Sequence, residues 1–416
     1  MLPASRIPVV VIGAGHAGLA ASWFLTREGV EHVVFERGEV ANSWLTERWE
    51  SMRLLTPNWQ TRLPGMAYDG DDRDGYATAV EVAGFVKRYA ESFGAPVITG
   101  SPVESVTAAG DGYEVVTPRH RWQARVVVIA TGACNQPKLP DLRAPLQQIS
   151  TIHYRAPEQV EAEGVLVVGA SASGVQIAEE LASAGRRVTL AVGNHVRMPR
   201  TYRGRDVQWW MERSGLLDDR YDEVDDIVRA RRVPSPQLIG TPERRSIGLN
   251  ELASIGVRIV GRLVGLDERR AVFSGSLANM CQLADLKQNR MLDTFDAWAR
   301  DAGVDGEVDD PHRPEPTRVD PNPPLGLDLE KEGIGAVVWA TGYRSDHSWL
   351  HLPVFDRKGE LIHDGGIVTG APGVYRLGLT FLRRRKSSFI CGIEDDAADI
   401  TAHLLSYLQA VARKGA

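Results

Sequence analysis

Val9-Val10-Val11-Ile12-Gly13-Ala14-Gly15-His16-Ala17-Gly18 is a β-branched run that breaks into a glycine turn. The chain writes the same pattern again, 156 residues on, as Val165-Leu166-Val167-Val168-Gly169-Ala170-Ser171-Ala172-Ser173-Gly174. Each run predicts a buried parallel strand. Each turn opens an alanine-rich helix, over Leu19 to Thr26 and Val175 to Ala184, closed by Gly29 and Gly185. Gly13 and Gly169 permit the tight strand-to-helix turn. Gly15, replaced in the second copy by the small Ser171, lets backbone approach a pyrophosphate without a Cβ in the way. Gly18 and Gly174, the latter beside Ser173, let the helix pack closely on its strand, so that its N-terminal N–H groups face the phosphates. One such motif is a weak hint. Two imply two dinucleotides, and hence a flavin reduced by a nicotinamide.

The strand after each of these helices separates the two sites. After the first helix, His32-Val33-Val34-Phe35-Glu36 is a strand that ends in an acid, 23 residues past Gly13. A carboxylate there can accept both ribose hydroxyls of an adenosine. After the second helix, Arg187-Val188-Thr189-Leu190-Ala191-Val192 ends without an acid and is followed by Arg197 and Arg200, whose guanidinium groups suit a 2′-phosphate. The first site therefore reads as FAD and the second as NADPH. Solvated surface charge is the plainer reading of the two arginines.

The halves share more than the turn. Gly94 to Ile98, Val103 to Val106 and Gly112 to Val116 have counterparts in Gly256 to Val260, Leu263 to Leu266 and Ala271 to Phe273. Val126 to Ile129 leads to Ala130-Thr131-Gly132, just as Ala336 to Trp339 leads to Ala340-Thr341-Gly342. These are buried strands ending in glycine turns, as in a parallel sheet. The predicted fold is α/β, with two dinucleotide-binding, Rossmann-like domains and the second inserted into the first. The FAD domain spans 1–157 and 333–416, and the NADPH domain 158–332. The latter carries an extra segment over about 275–332, with a helix near Ala284 to Ala302 and a loop from Asp309 to Pro324. Thr131, Gly132, Thr341 and Gly342 join the glycines as expected cofactor contacts, with Val103.

Composition bounds the rest. With 43% hydrophobic and 25% charged residues the chain reads as an ordinary globular protein, and a net charge of −6 gives no drive toward nucleic acid. Cys134, Cys281 and Cys391 form no CxxC pair, which argues against a disulfide framework, a metal site and dithiol-reductase chemistry. The first strand begins by Val9, leaving no room for a signal peptide, and no uncharged run is long enough to span a bilayer. A cytoplasmic protein with no membrane partner is expected.

The two glycine turns, the two Ala-Thr-Gly strands and the tail together resemble the class B flavin-containing monooxygenases and their Baeyer-Villiger relatives. That family has a signature F-x-G-x-x-x-H-x-x-x-(Y or W) between its halves. With Tyr154 on the last position, Ala144, Leu146 and Ser150 stand where the family has Phe, Gly and His. Only Tyr154-Arg155, followed by Pro157, matches, so the signature is degenerate. The resemblance implies that NADPH reduces FAD and that the reduced flavin takes up dioxygen as a C4a-(hydro)peroxide. One oxygen then passes to a small-molecule soft nucleophile, an amine nitrogen or a sulfur. Oxygenation of a ketone, NAD(P)H oxidase or dehydrogenase activity with electrons passed to oxygen or a quinone and no oxygen insertion, and a non-enzymatic redox sensor are the alternatives. In similar enzymes the region around Trp44 to Gly65 wraps the flavin, which assigns Trp44 to cofactor binding. Asn58 is the catalytic candidate, an amide beside the reacting flavin atoms, although Thr56-Pro57-Asn58 also reads as a turn. No catalytic triad emerges from the ten histidines. Arg383-Arg384-Arg385-Lys386 is either a solvated loop or the cationic mouth of the flavin site. The resemblance leaves room for a homodimer.

Overall fold

The computed structural model describes residues 4–141 and 146–415. Ala144 of the degenerate signature lies outside them. The two β-branched runs become central strands of two separate sheets. In the first sheet the parallel order is Val97–Ile98, His32–Phe35, Ala4–Ile12, Arg121–Ile129, Val374–Arg376. In the second it is Arg258–Val260, Arg187–Ala191, Gly164–Val168, Ile334–Trp339, Gln147–Ser150. Position by position these are the same sheet. They differ in where the fifth strand comes from: the first half takes it from the end of the chain, and the second from residues that precede its own glycine turn. The predicted helices form as His16–Arg27 and Ala172–Ser183.

This topology moves the expected boundaries. Ile334–Trp339 and Gln147–Ser150 both hydrogen-bond within the second sheet, so the chain changes halves between 130 and 146 and between 340 and 349, not at 157 and 333. The cause is the repeat itself. Ala336 to Trp339 is the counterpart of Val126 to Ile129, and a strand in that place must pair with the one that carries the glycine turn. The two connecting segments also pair with each other, Tyr343–Arg344 running antiparallel to Gln136–Pro137.

Alternation along the first sheet sorts its side chains onto two faces. Val9, Val11, Val34, Val128, Tyr375 and Leu377 pack against His16–Arg27, Ala79–Ser92 and the long C-terminal helix Ile393–Gly415. Val10, Ile12, Phe35, Val127, Ile129 and Val374 pack on the opposite face, under the antiparallel strands Ser105–Ala109 and Gly112–Val116. The extra segment of the second half begins with the helix Leu277–Asp301, longer than expected, whose Phe295 stacks on Trp210 at 5.8 Å. Its irregular stretch then supplies a strand, Gly326–Asp328, to the hairpin of Leu263–Leu266 and Arg270–Phe273.

The basic run of the tail is neither a solvated loop nor an open cationic mouth. Arg383 pairs with Asp399 at 3.1 Å, Arg384 with Asp396 at 2.9 Å, Arg385 with Asp219 at 2.7 Å, and Lys386 with Asp218 at 2.6 Å and Asp395 at 2.8 Å. Three of those acids lie near the start of the C-terminal helix, and the other two on the loop after Val207–Arg213. The run is a clasp between the halves.

Candidate cofactor site and active site

The site is built by what the two glycine turns leave open. Gly13 has φ +106°, and a Cβ there would lie 2.6 Å from the Ala130 carbonyl oxygen. Gly169 repeats this with φ +108° and 2.3 Å to the Ala340 oxygen. A Cβ on Gly18 would stand 1.9 Å from the Gly13 oxygen, and one on Gly174 would stand 1.8 Å from the Gly169 oxygen. These four positions need glycine because backbone already fills the space. Gly15 is different: nothing lies within 4 Å of its would-be Cβ. It faces the room that a pyrophosphate would take.

Capping supports the same conclusion. Helix Ala79–Ser92 has a complete capping box from Thr78 and Glu81, and Val207–Arg213 is capped by the Asp206 carboxylate. Helices His16–Arg27 and Ala172–Ser183 have Gly15 and Ser171 at that position, and neither supplies a side-chain cap. Their first-turn N–H groups stay available to an anion. Glu36, 8% exposed, accepts from Ala14 N–H at 2.8 Å and Gly38 N–H at 3.1 Å, which fixes its carboxylate beside the first turn. His16 opens the first helix with an unpartnered, buried Nε2, and burial pushes its pKa down to about 4. A neutral ring leaves the work of meeting phosphate to the backbone amides.

Thr131 and Gly132 follow the strand that touches Gly13, and Asn135 Nδ2 donates to the Thr131 carbonyl at 2.7 Å. Thr341 and Gly342 hold the equivalent place, Thr341 donating to the Lys138 carbonyl and the Gly342 oxygen accepting from Lys138 N–H. Trp44 is half-buried on the first core, with the Arg48 guanidinium 5.4 Å from its ring centroid. Val103 is half-buried against the opposite core.

The expectation for the two arginines changes. Arg200 is 0% exposed. Its guanidinium donates to Asp206 at 2.8 Å and to the Leu55 carbonyl at 2.9 Å, and lies 4.8 Å from the Tyr76 ring centroid. Arg197 is committed as well, to Asp285 at 2.7 Å and the Glu315 carbonyl at 2.6 Å. Neither is free to grip a phosphate, because a carboxylate neutralises each, the nearby Asp206 for Arg200 and the distant Asp285 for Arg197. One cation here that forms no ion pair among the described residues is Arg262. Its exposed side chain has Nε 3.3 Å from a would-be Cβ on Gly193, just past the end of Arg187–Ala191. That is where a sugar would follow the second turn. Asn58, expected to face the reacting flavin, is buried; Nδ2 donates to the Asp72 carbonyl at 2.9 Å and Oδ1 has no partner. Its amide braces the loop that carries Asp72.

The structure adds residues that spacing did not reveal. Tyr343, directly after Thr341-Gly342, shares a 2.5 Å hydrogen bond with Thr151, and burial raises its phenol pKa, with Cys134, Arg48 and Ser173 among its neighbours. Tyr154, the one matched signature position, donates to Glu180 at 3.0 Å, and Ser51 donates to the other oxygen of that carboxylate at 2.8 Å. This carboxylate ties the segment after Trp44 to the second nucleotide helix. The three cysteines are free and unpaired. Among the described residues no group of His, Cys, Asp and Glu could hold a metal, and no helix is long and apolar enough to cross a membrane.

Comparison with known proteins agrees with this geometry. Residues 10–212 match the family described as pyridine nucleotide-disulphide oxidoreductase. An uncharacterised CzcO-like oxidoreductase of Geobacillus kaustophilus is 30% identical over 408 residues, which is 96% of this chain and 99% of that one. The rice indole-3-pyruvate monooxygenase YUCCA4 is 26% identical over 98% of this chain and 92% of its own. A solved flavin-containing monooxygenase from Stenotrophomonas maltophilia superposes with a TM-score of 0.68 at 20% identity, covering 97% of this chain and 99% of that one. The repeated sheets and the full-length similarity together place the chain among the CzcO-like oxidoreductases, with the fold of the flavin-containing monooxygenases.

Proposed function

We propose that the protein oxygenates a small molecule at a soft nucleophilic centre, an amine nitrogen or a sulfur. It consumes NADPH, a proton and dioxygen, and releases NADP, water and the oxygenated product. The observation that carries this reading is the pair of uncapped glycine-turn helices in one chain whose cysteines are far apart and unpaired. Electrons can pass from one nucleotide to the other, and the unpaired cysteines leave a small-molecule acceptor, which we read as dioxygen.

Bound FAD supplies hydride acceptance and oxygen activation. The chain's own residues do the rest. Gly13, Gly15 and Gly18 with the amides of His16–Arg27 would hold its pyrophosphate, and Glu36 its ribose hydroxyls. Trp44, Val103, Thr131 and Gly132 would line its path. Gly169, Ser171, Ser173 and Gly174 with the helix Ala172–Ser183 would hold the NADPH pyrophosphate, with Thr341 and Gly342 alongside. Arg262 would meet the 2′-phosphate. The Ser51–Glu180–Tyr154 contact would keep the segment after Trp44 closed over the second site, which excludes water from the space between the nucleotides.

The oxidase reading retains one supporting observation: Asn58 spends its amide on Asp72 instead of presenting it to an open face. Turnover under 18O-labelled dioxygen, with panels of amines, sulfides, amino acids and ketones, separates the two. A product carrying one labelled oxygen supports oxygenation. Hydrogen peroxide in full stoichiometry with NADPH, whatever compound is added, supports the oxidase.

A further inference from the structure

Three arginines are buried among the described residues: Arg200 at 0% exposure, Arg203 at 2% and Arg376 at 5%. Arg200 pairs with Asp206 and Arg203 with Asp296 and Asp305. Among the described residues Arg376 pairs with no carboxylate, and its one side-chain partner is the Ser345 hydroxyl, 2.7 Å from Nη2. A guanidinium taken out of water without an anion is costly, and proteins keep such groups where an anion arrives.

The neighbouring groups compensate that charge only in part. Arg231 lies close enough to oppose the charge on Arg376, and it too lacks a carboxylate, donating instead to the Phe381 and Leu382 carbonyls at 3.1 Å each. His363 stands near both cations and His347 near Arg376, and burial with these charges keeps both rings neutral. His347 Nε2 is buried with no partner. The nearest acids do not neutralise the cluster. Glu360 acts on Arg376 from an exposed position and makes no ion pair among the described residues, Asp364 accepts from the Tyr221 hydroxyl at 2.8 Å, and Asp346, beside His347, accepts from Ser348 N–H at 3.0 Å. Arg376 ends the strand Val374–Arg376 in register with Ile129, one residue before the Ala130 turn that touches Gly13. It therefore lies at the carboxyl edge where the flavin belongs. Alternation puts it on the face opposite the helix His16–Arg27, since Tyr375 and Leu377 take the helix face. The pyrophosphate, held by that helix, is not its anion.

We propose that Arg376, with Ser345, Arg231 and His347, forms a recognition site for the carboxylate of an acidic small-molecule substrate beside the flavin. Two cations, a hydroxyl and one neutral imidazole fit one carboxylate, with Arg376 supplying the forked contact. The inference rests on the oxygenase reading for what the bound acid is for, but not for its binding.

The test is binding without turnover. Oxidised, FAD-loaded protein is titrated calorimetrically with acetate, phenylacetate and 2-naphthylacetate, each matched against its uncharged amide. At least one acid is expected to bind tenfold or more tightly than its amide and to raise the melting temperature. Arg376→Met should abolish both differences while the protein keeps one FAD per chain, and Arg376→Lys should retain part of them. If no acid outbinds its amide, or if Arg376→Met leaves the acid-to-amide ratio unchanged, the site is not a carboxylate site. Loss of FAD from both variants would overturn the proposal too, because the arginine would then serve the cofactor. None of these outcomes depends on whether oxygen enters a product.

Discussion

The individual glycines of the first turn do different things, and mutation can separate them. Gly15 has open space where a side chain would go, and its φ of −82° suits any residue. Gly15→Asp should therefore fold, melting no lower than the wild-type protein stripped of its FAD, and yet purify colourless, because a carboxylate would occupy the pyrophosphate path. Gly13→Ala should instead destabilise the protein by more than about 1 kcal/mol, as its left-handed φ and the Ala130 oxygen leave no room. Melting curves with flavin absorbance read both effects. A Gly15→Asp protein that retains full FAD would reject the assignment of this turn.

The arginines divide in the same manner. Arg262→Ala should weaken NADPH by roughly tenfold to a hundredfold relative to NADH, the value of a lost charge-assisted contact of about 1.5–3 kcal/mol. Arg200→Ala should leave that ratio alone and cost about 3–5 kcal/mol of stability, since Asp206 loses its buried partner. Titration with 2′-phospho-ADP-ribose and with ADP-ribose, beside urea unfolding, distinguishes a phosphate reader from a structural cation.

Among elements, the clasp formed by residues 383–386 is the contact most open to test. Asp396 is fully buried and its Oδ1 depends on Arg384, so Arg384→Ala should cost about 3–5 kcal/mol. Lys386→Ala should cost less, as both of its acids are about half exposed. It should still speed proteolysis around Asp218 and Asp219, and unchanged cleavage there would mean that the loop is held by something else. This clasp also shows what the sequence could and could not tell. The strands, the glycine turns and the internal repeat were legible because each arises from local sterics and short periodicity. The partners of Arg385 and Arg197 were not, lying 166 and 88 residues away along the chain. A charge run looks the same in sequence whether water or carboxylates surround it. The strand Gln147–Ser150 was illegible for a related reason: Gln-Gln-Ile-Ser carries no apolar pattern, and only its neighbour Ile334–Trp339 makes it a strand.

Across the protein, the buried histidines set a pH dependence. Burial lowers His16, His347 and His363 to about 4, against about 6.5 in an unfolded chain. Between those values the unfolded state binds protons that the folded state refuses. Stability therefore falls as pH drops from 7 toward 4, by at most about 1.4 kcal/mol per pH unit for each ring. Burial raises the carboxyls of Glu180 and Asp396, which works the other way near the acid end of that window. Urea midpoints at pH 7, 6 and 5 should decline steadily. A flat series would mean that these rings take up protons without unfolding.

The antiparallel pairing of Gln136–Pro137 with Tyr343–Arg344 has a consequence for how such a chain could arise. The inserted half departs from its host and rejoins it at neighbouring residues. To the host sheet it is a very long loop whose ends already touch, and loop-closure entropy grows only logarithmically with length. A duplicated copy could thus enter an ancestral single-nucleotide protein there with little penalty to the host's folding. The borrowed fifth strand, taken from opposite directions of the chain in the two halves, is the scar that such an insertion would leave.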